Sequence, residues 1–245
     1  MLSERVRRLR QQSYEAEPTL SSERATLITR FYRAEEGKHS TPVLRALAFR
    51  YLCAHKTIYI GEDELIVAER GPFLKATPTY PELTCHSLDD LRTLDARPKT
   101  RYRVSEEASH TYEQEIIPYW RGRSMRDRIF QRMEPAWLTC YEAGLFTEFM
   151  EQRAPGHTTL DDKIYRQGLL DLKREIAASL ARLNLAADPL AYDKREELLA
   201  MEIACDAVIL FAERHADLAE RMAAAETRPE RQRELERIAQ VCRWV

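Results

Sequence analysis

The chain has 245 residues, 38 Lys plus Arg against 40 Asp plus Glu, and a formal net charge of −2. That balance excludes the global basic field that a nucleic acid or an anionic membrane surface requires of its partner. A hydrophobic fraction of 44% with 32% charged residues excludes a disordered chain and fits a folded one long enough to bury a sizeable core.

The N-terminus, Met1 to Arg10, is a charged helical pattern without an apolar signal region, and no window approaches the length of a bilayer span. Ser21 and Ser22 offer caps for a helix carrying Ala25, Leu27, Ile28 and Phe31, and Thr41-Pro42 starts another through Leu44, Leu47, Ala48, Tyr51 and Leu52. Between Thr57 and Ala68 the β-rich runs Ile58-Tyr59-Ile60 and Leu65-Ile66-Val67 flank Gly61-Glu62-Asp63, which predicts a short hairpin. From Gly71 to Arg103 the prolines at 72, 78, 81 and 98 predict an irregular excursion with one short helix around Ser87 to Leu94.

Helices resume at Ser105, with Glu106 and Glu107 in the first turn, and at Ser124; Pro155 and Gly156 break the pattern between Gly144 and Thr159. Met201, Cys205, Val208, Ala212, His215, Ala219 and Met222 form a stripe at alternating spacings of four and three, which must face something apolar. Thr227 with Glu230 predicts a capping box for a last helix bearing Leu235, Ile238, Val241, Cys242 and Val245 on one side. The expected fold class is mainly α with one short β-hairpin. An apolar face reaching Trp244 and Val245 is expected either to meet further chain or a partner, or to fold back on its own bundle.

Chemistry-bearing residues are sparse when taken singly. The seven glycines are unclustered, so no phosphate-cradling loop is present. Cys53, Cys85, Cys140, Cys205 and Cys242 are odd in number and never in a C-x-x-C arrangement, which points to small buried hydrophobes in a reducing, cytoplasmic setting rather than to disulfides or a metal site. His39, His55, His86, His110 and His215 form no ligand pairing and read as surface or satisfied core histidines; Tyr119, Trp120 and Trp137 read as core aromatics. The one dense run is Phe146 to Thr158, FTEFMEQRAPGHT, which sets carboxylates, an arginine, an amide, aromatics and a histidine beside a Pro-Gly break. Such a run is either a pocket wall or, the blander reading and the one favoured by the residues alone, a capped helix followed by a tight turn.

That run, with CYEAGL at 140 to 145 before it, resembles the pyruvate formate-lyase-like glycyl radical enzymes, and MEQRAPGH is similar to their hydroxyproline dehydratase branch. Other stretches agree in order: SSERATLITRFY at 21 to 32, PVLRALAF at 42 to 49, IGEDELIVAERG at 60 to 71, TPTYPELTCH at 77 to 86, VSEEA at 104 to 108, EIIPYWRGR at 115 to 123 and AMEIACDAVILFAERHADLAE at 200 to 220. The resemblance covers the whole chain and implies the helical N-terminal portion of a ten-stranded α/β barrel. Residues 1–245 are accordingly expected to be the first part of a pyruvate formate-lyase-like domain, ending before the barrel cysteine and the glycyl radical domain.

The resemblance further implies a lyase of the dehydratase type. Its backbone glycyl radical is installed by a partner activating enzyme that uses S-adenosylmethionine and an iron-sulfur cluster. No glycine here matches the C-terminal radical motif, so no catalytic residue, no directly bound cofactor and no metal are expected in this chain, which alone is expected to be inactive. Phe149 and His157 match substrate-pocket positions, Phe149 giving apolar contact to the ring and His157 a donor or general acid near the leaving hydroxyl, with Glu151, Gln152 and Arg153 behind them. Expected partners are a small-molecule substrate, the remaining C-terminal part if supplied in trans, and a second copy in the full-length homodimer, with neither nucleic acid nor membrane. The competing readings are a glycyl radical C–O or C–S lyase acting on a diol or a hydroxyalkyl sulfonate, and a non-catalytic helical fragment that binds a partner.

Overall fold

The computed structural model describes residues 3–67, 69–146 and 160–244, and the chain is mostly helical. Helix α1 (Glu4–Glu15) starts at Ser3, whose hydroxyl accepts from the Val6 amide at 3.3 Å, and it buries none of its residues. Strand β1 (Thr19–Ser21) leads into α2 (Glu23–Glu35), which buries Ala25, Ile28 and Phe31, and α3 (Thr41–His55) begins with Pro42 in its first turn, where a missing N–H costs nothing. Strand β2 (Ala76–Pro78) follows the loop after α3.

Next come α4 (Leu88–Ala96), capped reciprocally by Ser87 and Asp90, and α5 (Glu106–Thr111), capped by Ser105. A π-helical turn, Tyr112–Ile116, joins α5 to α6 (Ile117–Trp120). There the Ile117 N–H bonds the Tyr112 carbonyl five residues back, directly before Pro118, which has no N–H with which to continue an ordinary α ladder. Helices α7 (Met125–Phe130), α8 (Pro135–Glu142), α9 (Leu169–Ala181), α10 (Ala191–Ala225) and α11 (Pro229–Arg243) complete the order.

Two main cores result. Leu20, Ile28, Phe31, Leu52, Leu91, Tyr112, Ile116 and Trp120 pack where α2, α3, α4 and the α5–α6 stretch meet. Two buried polar pairs run through this region, Trp120 Nε1–H donating to Thr29 Oγ1 at 2.8 Å and the Tyr112 hydroxyl donating to Thr79. Ile60, Ala216, Ala219, Ala223, Leu235 and Ile238 form the second core, between α10 and α11. The long α10 also packs along α3 and α9. Arg214 of α10 closes the carboxyl end of α3, donating to the carbonyls of Cys53 at 2.5 Å and Lys56 at 2.9 Å, two acceptors that the helix itself leaves open.

Three sequence expectations need correction. The hairpin is absent: Ile58–Ile60 and Leu65–Val67 form no strands, although Gly61–Glu64 does turn, with the Glu64 amide on the Gly61 carbonyl at 3.3 Å. Partners from outside replace cross-strand pairing, because Arg231 of α11 donates to the carbonyls of Gly61 at 2.9 Å and Glu64 at 2.8 Å. Ile60 turns into the α10–α11 core, whereas Ile66 stays 82% exposed. A β-rich composition describes a half-buried surface, which tertiary contacts can satisfy in other ways.

The sheet that does form is parallel and pairs β1 with β2 in the register Thr19↔Ala76, Leu20↔Thr77, Ser21↔Pro78, with Arg103 bridged to Thr19 on the other side. Gly71 is required beside it, since a Cβ there would lie 2.2 Å from the Ala76 carbonyl oxygen.

The capping box at Thr227 is also absent. Pro229 fixes the first turn of α11, Arg228 precedes it, and Glu226 instead accepts from the Thr227 and Arg228 amides at 3.0 Å each. In the α10 stripe, Cys205, His215 and Ala219 are buried, but Met201 and Val208 are exposed. The buried face of α10 is instead largely alanine, Ala200, Ala207, Ala216, Ala219 and Ala223, whose small side chains leave room for neighbouring helices.

Among the described residues, no helix is long and apolar enough to cross a membrane.

Candidate functional site

Phe149, Glu151, Gln152, Arg153 and His157 all lie outside the described residues; the structure describes the two sides from which the chain enters and leaves this stretch. On the entering side, α7 and α8 form an aromatic cluster. Phe130 meets Trp137 and Tyr141 edge-on at 5.4 Å and 4.9 Å, Trp137 stacks on Tyr141 at 5.6 Å, and Phe146 tilts against Trp137 at 5.0 Å. Arg126 holds the cluster from one side, its guanidinium 4.4 Å from the Phe130 ring centre and donating to the Tyr141 hydroxyl at 2.9 Å. Edge-to-face pairs and a stacked guanidinium are favourable arrangements of ring quadrupoles and give the cluster a defined geometry.

This unit is anchored by its backbone. Met125 N–H donates to the Glu82 carbonyl at 2.9 Å and Arg126 N–H to the Leu83 carbonyl at 3.0 Å. Buried Ser124 caps α7 by accepting from the Asp127 amide at 3.1 Å. On the leaving side, Leu160 has a left-handed backbone (φ 67°) and opens a short 3₁₀ turn, Asp161–Tyr165. Glu175 of α9 ties that turn down, accepting from Lys163 at 2.7 Å and from Gln167 at 2.6 Å. Aromatic packing on one side and an ion pair on the other thus fix the approaches to residues 147–159.

The remaining candidates fall into structural roles. Burial pushes the Cys53 thiol up to about 11 and the Cys85 thiol to about 12, and it also raises Cys205 and Cys242, so these four are neutral near pH 7. His215 is buried in α10 with its pKa lowered by that burial and Nδ1 against the Phe211 carbonyl at 2.8 Å. His55 stacks on Tyr51 at 4.1 Å, and His39 pairs with Glu35 at 3.4 Å. No group of three or more His, Cys, Asp or Glu among the described residues could hold a metal ion. Trp137, expected as a core aromatic, is half-buried and packs instead with Phe130, Tyr141 and Phe146, a grouping that no sequence spacing announces.

The pyruvate formate lyase-like family profile matches residues 2–245. The chain belongs to the pyruvate formate lyase-like family. It is 47% identical over 239 residues to trans-4-hydroxy-L-proline dehydratase of Clostridioides difficile, covering 98% of this chain and 30% of that protein. It is 33% identical to isethionate sulfite-lyase of Oleidesulfovibrio alaskensis, covering 93% and 29% respectively. The crystal structure of the Clostridioides difficile hydroxyproline dehydratase with trans-4-hydroxy-L-proline bound superposes with a TM-score of 0.93 at 46% identity, over 99% of this chain and 31% of that one. The described fold is therefore that of the N-terminal part of glycyl radical enzymes. The chain spans about 30% of the length of the relatives it matches.

Proposed function

We propose that the chain is part of a glycyl radical dehydratase that removes water from trans-4-hydroxy-L-proline to give pyrroline-5-carboxylate. The observation that carries this reading is the 47% identity to a hydroxyproline dehydratase across 98% of the chain, against 33% to an isethionate sulfite-lyase. In this reading the helices form a scaffold, and the segment between the Trp137 cluster and the Glu175-tied turn carries the pocket side chains. Phe149 offers apolar contact to the pyrrolidine ring. His157 donates a hydrogen bond or a proton to the departing hydroxyl, a task suited to an imidazole. Glu151, Gln152 and Arg153 hold these two from behind.

The glycyl radical, once installed by an activating enzyme that uses S-adenosylmethionine and an iron-sulfur cluster, supplies the hydrogen abstraction through a cysteine. We assign both radical-bearing residues to sequence beyond these 245 residues. A cytoplasmic, anaerobic setting and a homodimer of the complete enzyme belong to the same proposal.

The test joins this chain to the remainder of the enzyme, generates the radical with the activating enzyme, confirms it by electron paramagnetic resonance, and supplies trans-4-hydroxy-L-proline. Pyrroline-5-carboxylate is expected. A confirmed radical that leaves hydroxyproline intact but consumes a diol or a hydroxyalkyl sulfonate would reject the substrate and keep the family.

A non-catalytic interaction role draws on one observation, the groove of about 630 Å³ where Leu65, Ile66 and Val67 face Ile238 and Val241 of α11. Apolar surface of that kind also serves an enzyme whose further chain packs on it.

A further inference from the structure

Between the carboxyl end of α2, the amino end of α3 and the α6–α7 stretch lies a cavity of about 670 Å³. That size falls within the range of small-molecule sites, roughly 300–1,000 Å³. Tyr32, Leu44, Leu83 and Trp120 give it an aromatic and apolar floor. Its wall also carries four guanidiniums, Arg45, Arg123, Arg128 and Arg132, against two carboxylates, Glu36 and Glu82.

Both carboxylates are already committed. Glu36 accepts from the Tyr119 hydroxyl at 3.0 Å and from Arg123 at 2.5 Å, and Glu82 is held by Arg24, which lies outside the wall. Arg45, Arg128 and Arg132 are left with no side-chain hydrogen bond or ion pair among the described residues. Most arginines elsewhere are paired, as Arg8 is with Asp63, Arg30 with Glu115 and Arg214 with two carbonyls.

Arg45, Arg128 and Arg132 are exposed, so water screens their mutual repulsion, and an anion seated among them in the cavity is attracted by all three at once. The planar guanidinium fork matches carboxylate and phosphate oxygens. Thr41 places the amino end of the fifteen-residue α3 in the same wall, and its unpaired N–H groups and dipole add to the positive potential.

We propose that this cavity binds a small organic anion carrying two or more negative charges, a polycarboxylate or a phosphate ester, with its charges on Arg45, Arg128 and Arg132 and its body on the apolar floor. The site uses none of residues 149 to 157, so it stands or falls apart from the substrate reading above. The bland alternative is three water-solvated arginines that attract any anion diffusely.

Isothermal titration of the purified chain at low ionic strength, with citrate and with pyrophosphate in separate runs, separates the two. The site predicts saturable one-to-one binding of at least one of them, citrate alone marking a carboxylate site and pyrophosphate alone a phosphate site. The double variant R128Q/R132Q is expected to weaken that binding about tenfold or more, since it removes two charge-assisted contacts. R128K/R132K, which keeps the charge and loses the fork, is expected to fall between it and the wild type. R221Q/R233Q removes the same charge from α10 and α11 and is expected to bind like the wild type. Circular dichroism of each variant checks that the helices persist. If neither anion saturates, or if R221Q/R233Q weakens binding as much as R128Q/R132Q, the cavity is not a site.

Discussion

The Arg8 guanidinium forks onto the carboxylate of Asp63, Nε to Oδ2 at 2.8 Å and Nη2 to Oδ1 at 2.9 Å. Asp63 is 5% exposed, whereas α1 has no buried residue, so this pair and the Arg5–Glu234 pair carry much of the attachment of α1. An isolated helix of this length is marginal in water. Asp63→Ala is therefore expected to release α1, with faster amide hydrogen exchange over residues 4–15 and a loss of global stability of about 1 kcal/mol. Unchanged exchange there would show that other contacts hold the helix.

The same pairs give α1 a pH dependence. Arg8 lowers the Asp63 pKa, and the Arg5 and Arg231 contacts lower that of Glu234 in spite of its burial. A carboxylate lowered in the folded state contributes stability above its unfolded pKa, about 4, and loses it as pH falls through the folded value. Protection of the α1 amides, measured relative to their intrinsic exchange rates, should therefore be high at neutral pH and fall below about pH 4. Asp63→Asn should give fast exchange already at neutral pH.

Trp120 and Thr29 make a buried polar pair in which the indole N–H has one acceptor among the described residues, Thr29 Oγ1. Thr29→Val keeps the shape and removes the acceptor. Denaturant titration is expected to show a loss of about 1–3 kcal/mol, the cost of an unsatisfied buried donor.

Gly71→Ala places a Cβ 2.2 Å from the Ala76 carbonyl oxygen in the register of β1 with β2. Backbone must move to admit it, and a destabilisation of about 1–3 kcal/mol is expected in thermal unfolding. A neutral result would mean that the β2 pairing is dispensable.

Trp137 contacts Phe130, Tyr141 and Phe146 at once. Trp137→Ala should abolish the near-ultraviolet signature of the cluster and cost about 2 kcal/mol locally. In the assembled enzyme the KM for hydroxyproline is expected to rise, because Phe146 directly precedes the stretch that bears Phe149.

Helix positions were legible wherever a short-range signal marked them. Ser87, Ser105 and Ser124 cap as their sequence contexts indicate, and Pro42 opens α3. The β1–β2 sheet was not legible, because it pairs two three-residue segments far apart in the chain, too short for alternation to show. The hairpin failed for the converse reason: its composition was local, while the groups that satisfy Gly61 and Glu64 come from Arg231. Family membership was legible in ordered motifs along the whole chain, and the profile match over residues 2–245 agrees with it. The arginine-walled cavity was not, since Arg45, Arg128 and Arg132 share no sequence pattern and meet only through the fold.

The most direct test of the central claim is the rate of pyrroline-5-carboxylate formation from trans-4-hydroxy-L-proline by the assembled, radical-bearing enzyme, with wild-type sequence and with His157→Gln. Turnover by the wild type, and a fall in kcat of about 100-fold or more in the variant at equal radical content, is the predicted result, the size expected for loss of a general acid. Equal turnover by both would contradict the role of His157, and no turnover by the wild type despite a full radical signal would contradict the substrate.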